Sequence, residues 1–193
     1  RASIKVWAQT VAHEQNVEVN PSAQLFDRVD EMTAAMKNCD VDAIGMTFEE
    51  YMILSTGVDT DHWYLTQMSG KLYEEYVLLV QAAAGIDGLD ALRGRNLMLH
   101  DSARTSLALY WLESVMKQQD LPGKVAEYFS TIKHVKKISE AVLPVFFGQA
   151  DVCLVTQSGF DTMVELNPQI GRKLQTVARS RPLIPALLCF RKD

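Results

Sequence analysis

The pattern of apolar and polar positions divides the chain into short alternating elements. From Leu89 to Ser114, LDALRGRNLMLHDSARTSLALYWLES predicts a turn, a buried strand over Asn96–His100, a polar turn and a helix. The helix rests on spacing, since Ala108, Trp111, Leu112 and Val115 recur at i, i+3, i+4 and i+7. The same period puts Ile4, Trp7, Ala8 and Val11 on one stripe of an N-terminal helix. Val29, Met32 and Met36 form another stripe, which Asp27 can cap. Shorter apolar runs predict strands at 41–46, 151–156, 174–178 and 186–190, and a long, mostly buried one at 72–80. Segments 17–19, 62–68 and 127–135 also read as strands. Ser139 can cap a helix over 141–149, with Pro144 in its first turn or at a kink.

Strands alternating with helices imply an α/β chain, with parallel sheets and helices on both faces. In such sheets ligands gather beyond the carboxyl ends of the strands. The junctions at Met46-Thr47, Asp101 to Ser106 and Thr156-Gln157-Ser158 are all rich in hydroxyls, which suits a shared cleft. Thr47 with Glu50, and Ser158 with Asp161, have capping-box spacing. In the middle junction Ser102 suits a helix N-cap, and Thr105 and Ser106 fall in the first turn. Unpaired N–H groups and the helix dipole there favour an anion. Arg104 opposes that dipole unless an anion is present, so its removal is expected to leave the empty protein as stable as before. Two readings stand side by side: an anion site, or a plain cap beside a solvent-facing Arg104.

Composition narrows the function classes. At 193 residues and 48% hydrophobic, the chain can form one or two globular domains. A net charge of −5 without a basic cluster excludes nucleic acid as partner. No apolar run reaches the roughly 18 residues a membrane span needs. No leader is visible, and the chain opens directly in an amphipathic pattern, as a processed or trimmed product would. Cys39, Cys153 and Cys189 lack metal-site spacing and read as buried free thiols. No histidine stands near a cysteine by local spacing, so neither catalytic residues, a metal site nor a cofactor is expected. His100, at the end of its strand, is either a packing residue or a ligand contact.

The order of these motifs resembles the periplasmic phosphate/phosphonate-type substrate-binding proteins of ABC transporters. Asp42-Ala43-Ile44-Gly45-Met46-Thr47, followed by Tyr51, is similar to a strand and helix of that family's first domain. Leu89 to Asn96 (LDALRGRN) resembles the entry to its second domain, and AVLPVFFGQAD over 141–151 resembles a later helix end. Arg104-Thr105-Ser106 stands where the family usually has Ser-Thr-Ser, and Leu107 where a Gly usually follows.

The resemblance implies a two-lobed type II periplasmic-binding-protein-like fold, with mainly parallel sheets flanked by helices, in part of a longer protein. Lobe 1 would span 1–82 with a returning segment 183–193, and lobe 2 would span 83–182 between crossover strands at 73–80 and 186–190. The implied function is capture of a small anionic ligand for an ABC transporter permease, outside the cytoplasm, by a lipid-anchored or soluble monomer. Ser102, Arg104, Thr105, Ser106, Thr156 and Ser158 would supply lobe 2 of the site, and Thr47 and Tyr51 lobe 1. An aromatic one turn into a helix is more often core, which is the competing reading of Tyr51. The alternative function is a ligand-sensing input domain of a membrane-bound signalling protein.

Overall fold

A computed structural model describes residues 2–14, 16, 18–65, 67 and 70–192, with side chains from residue 5 onward. The elements, in chain order, are α1 (Ala2–Glu14), α2 (Val29–Lys37), β1 (Ala43–Thr47), α3 (Phe48–Leu54) and β2 (Thr60–Leu65). There follow β3 (Tyr76–Gln81), β4 (Asn96–His100), α4 (Ala108–Gln118), α5 (Val125–Tyr128), β5 (Thr131–Val135) and α6 (Ile138–Phe146). The last are β6 (Val152–Thr156), α7 (Gln157–Leu166), α8 (Pro168–Lys173), β7 (Leu174–Arg179) and β8 (Ala186–Arg191).

The strands form two sheets, one ordered β1-β8-β2 and the other β5-β4-β6-β3-β7. The sheets are mixed, which corrects the expectation of mainly parallel ones. β4 pairs in parallel with β5 and β6, while β3 runs against β6 and β7, and β8 against β1 and β2. The reason lies in the connections. Helical crossovers return the chain in the same direction, which gives parallel neighbours. β3 and β8 instead arrive directly from the other sheet, so each enters at the carboxyl ends of its neighbours and runs the opposite way. Tyr76, which opens β3, pairs with Thr156 at the end of β6, and Ala186, which opens β8, pairs with Thr47 at the end of β1. The expected hinge strand at 73–80 therefore lies, as β3, inside the larger sheet. The chain crosses between the sheets at Glu74 and Leu183, whose backbones exchange two 2.8 Å hydrogen bonds.

The larger sheet is covered on both faces. Leu78, Val80, Leu97, Leu99 and Leu154 pack with Leu112 and Met116 of α4. Val77, Leu79, Met98, Cys153 and Val155 face the other way, against Val142 and Val145 of α6 and Ile170 of α8. Successive residues point to opposite faces of a strand, so strands covered twice must be apolar throughout. The small sheet buries one face, where Ile44, Met46, Leu187 and Cys189 meet Met32 and Met36 of α2 and Leu54 of α3.

Several local expectations change. Trp7 of the α1 stripe is 56% exposed and Val11 is also exposed, so neither is buried in a core. In the 17–19 segment, Val17 lies outside the described residues and Val19 is not in a strand. The segment 127–135 divides into the end of α5 and β5. Cys39 is exposed rather than buried, at the left-handed φ of 60° that ends the α2 turn.

Candidate functional site

Because β3 and β8 enter at carboxyl ends, the ends of β1, β4 and β6 all point toward the crossing. That places the three hydroxyl-rich junctions around it. At the first, Thr47 caps α3 by a capping box. Its Oγ1 accepts from the Glu50 amide at 3.2 Å, while its backbone N–H and its hydroxyl reach Glu50 Oε2 at 2.8 and 2.9 Å. The next amide, of Phe48, donates to the Pro185 carbonyl at 2.9 Å. Tyr51 is half-buried among the core residues of this sheet, with its ring 5.9 Å from Phe48 and 6.3 Å from Trp63.

The middle junction departs from the expected helix start. Ser102 opens a 3-10 turn over Ala103–Thr105, and α4 begins only at Ala108 with Leu107 at its N-cap. The buried Thr105 hydroxyl explains the tight turn, since it reaches back to the His100 carbonyl at 2.6 Å and receives the Ser102 amide at 3.0 Å. The Ser102 and Thr105 hydroxyls lie 3.1 Å apart. Ser106 contacts the Pro185 carbonyl at a long 3.5 Å.

Arg104 does not point freely into solvent. Its Nη2 is ion-paired with Oε1 of Glu74, a residue only 2% exposed. The Tyr76 hydroxyl donates to the Arg104 carbonyl at 3.0 Å, and burial pushes the Tyr76 phenol up to about 12. The third junction reaches the same carboxylate, for Ser158 Oγ donates to Glu74 Oε2 at 2.8 Å. The cap of α7 is Thr156, not Ser158: its buried Oγ1 accepts from the Gly159 amide at 3.1 Å. The structure thus brings Arg104 and Ser158 together on Glu74, and the Thr47 junction and Ser106 together on Pro185.

Glu74 was not legible as a site residue. In the run Tyr73-Glu74-Glu75-Tyr76 it reads as one polar position in a strand, and only the crossing makes it a hub. His100 is half-buried, and burial holds its imidazole below the ordinary 6.5. Hydrogen bonding from Lys136 lowers the neighbouring Asp101. A cavity of about 450 Å³ lies beside the middle junction, lined by Thr105, Ser106, Asp101, His134 and Tyr110, and by Glu49 of α3 from the other sheet. The Tyr110 hydroxyl spans it to Glu49 at 3.3 Å. Among the described residues no group of His, Cys, Asp and Glu is arranged to hold a metal ion.

Residues 5–193 match the family described as the ABC transporter phosphonate periplasmic substrate-binding protein. The chain belongs to this family. No curated protein matches it by sequence. Among solved structures, it is similar to XAC2383 from Xanthomonas citri bound to chloride ion, at 16% identity and a TM-score of 0.71. That likeness covers 98% of this chain and 70% of the other. PhnD1 from Prochlorococcus marinus in complex with methylphosphonate aligns at 11% identity and a TM-score of 0.60, over 97% of this chain and 70% of that one. The binding protein component of the ABC phosphonate transporter PA3383 from Pseudomonas aeruginosa aligns at 16% and 0.59, over 97% and 62%. At such identities the likeness is one of fold, the type II periplasmic-binding-protein fold. Members of this family are substrate-binding transport proteins of the periplasm. No helix of the described residues is long and apolar enough to cross a membrane.

Proposed function

We propose that this chain captures a small oxyanion or phosphonate-like ligand in a cleft between two lobes and delivers it to the membrane permease of an ABC transporter. The observation that carries the reading is the convergence of the junctions at Thr47, Ser102–Ser106 and Thr156–Ser158 on one crossing, through Glu74 and Pro185. The methylphosphonate in PhnD1, a protein of the same fold, supports the ligand class. The lobes are the small sheet with α2 and α3, and the larger sheet with α4 to α8. The pairing of β3 within the larger sheet supports a boundary at the Glu74–Leu183 crossing rather than after residue 82. Hinge closure about that crossing would bring Thr47 of one lobe toward Ser102, Arg104, Ser106 and Ser158 of the other. Thr105 and Thr156 are buried and shape the junctions, while Tyr51 supports the Thr47 side from within its core. His100, behind the middle turn, sets its backbone through the carbonyl that Thr105 contacts. The protein works as a periplasmic monomer, anchored by lipid or soluble, with no cofactor.

A thermal-shift series with inorganic phosphate, methylphosphonate, sulfate and acetate tests the reading. A true ligand raises the melting temperature progressively with concentration, by about 2.7 kcal/mol of added stability at a hundred times its Kd. Melting curves that no anion moves would overturn it.

A further inference from the structure

Resting on that reading, we infer that the cleft selects an oxyanion that still carries a proton, and that Glu74 sets this choice. An anion site that takes a fully deprotonated ligand needs donors and net positive charge. At the junctions here several donors are already engaged and the positive charge is balanced. The hydroxyl of Ser158 donates to Glu74, that of Thr105 to the His100 carbonyl and that of Thr47 to Glu50. Of these, the less buried Ser158 and Thr47 can meet a ligand, and with their protons so committed they meet it as acceptors, which require an O–H on the ligand. The guanidinium of Arg104 is already neutralised by the Glu74 carboxylate behind it.

The cavity beside the turn adds the carboxylates of Glu49, Asp101 and Glu113. Asp101 itself is bonded to Lys136 at 2.6 Å. The groups facing Glu74 are therefore one charged arginine, one serine hydroxyl and, two residues on, the phenol of Tyr76, whose ionisation the Glu74 charge opposes. Glu74 has almost no exposure, so it acts through Arg104 and Ser158 and is a positioning residue. A second negative charge on the ligand meets its field without gaining a donor. A single charge with one remaining proton gains Arg104 as donor and a serine or threonine oxygen as acceptor.

Calorimetric titration with methylphosphonate below and above its second ionisation tests this, with methanesulfonate, a monoanion of similar shape without a proton to donate, as control. The parent should bind the singly protonated phosphonate best, and its affinity should fall roughly tenfold or more as the second proton leaves. Methanesulfonate should bind more weakly than the protonated phosphonate and stay level over that range. Glu74→Gln keeps the shape and removes the charge, so it should bind the dianion roughly tenfold or more tightly than the parent, with methanesulfonate altered much less. A parent that tightens as the phosphonate becomes a dianion overturns the inference without any variant, should Glu74→Gln fold poorly. Equal effects of Glu74→Gln on both ligands also overturn it. If neither ligand binds the parent, while another anion raises its melting temperature, the inference fails and the binding function stands. Absence of binding by every anion overturns both.

Discussion

Arg104 and Glu74 form an ion pair of unequal exposure, with the arginine side chain 32% accessible and the glutamate 2%. The pair ties the turn after β4 to the strand that enters from the other sheet, and its inner partner cannot be rehydrated in place. The two halves therefore respond differently to truncation.

Arg104→Ala leaves a buried carboxylate uncompensated and should destabilise the empty protein by roughly 3–5 kcal/mol. This reverses the expectation drawn from the sequence, where an arginine in a first turn looked dispensable. Glu74→Gln leaves a partly hydrated guanidinium instead and should cost less. Urea unfolding of both variants ranks them, and an Arg104→Ala protein as stable as the parent would sink the argument.

Thr47 holds its capping box through the Glu50 amide and carboxylate. Thr47→Ala should lower stability by about 1 kcal/mol, whereas Thr47→Ser, which keeps the oxygen, should stay near the parent. Denaturant midpoints for the two substitutions would have to coincide for this account of α3 to be wrong.

The pH dependence of stability should carry a signature of His100. Burial, the largest cause, holds its folded pKa below the ordinary 6.5, while Asp101 and the Lys136 backbone pull the other way. The unfolded chain therefore binds the proton first as pH falls. Stability is fully present above 6.5 and declines as pH drops below it through the lowered value. His100→Gln should flatten unfolding midpoints between about pH 5 and 7. An unchanged slope in the variant would assign the dependence elsewhere.

The three cysteines should separate by reactivity. Cys39 is exposed, whereas Cys153 and Cys189 are buried, and burial pushes both thiols up. A thiol reagent should modify Cys39 alone in the native protein and all of them in urea, as mass spectrometry of the labelled chain would register. Native labelling of Cys153 would contradict the double-covered sheet.

What the sequence determined by itself was local. The periods of β4 and α4, the Thr47–Glu50 box and the apolar run of β6 each follow from neighbouring residues, because helix faces, caps and doubly covered strands are set within a few positions. The family resemblance was legible for the same reason, being carried by short motifs in a fixed order. The tertiary structure alone decided the rest. That β3 and β8 run against their sheets depends on where the chain crosses, and no local pattern encodes direction. That Ser102 opens a 3-10 turn depends on the Thr105 hydroxyl finding the His100 carbonyl. That Trp7 stays exposed depends on what packs beside α1, not on its stripe. Glu74 is the clearest instance. Its neighbours in sequence mark it as one more acidic residue, and its meaning comes from Arg104 and Ser158, brought to it by two other junctions across the fold.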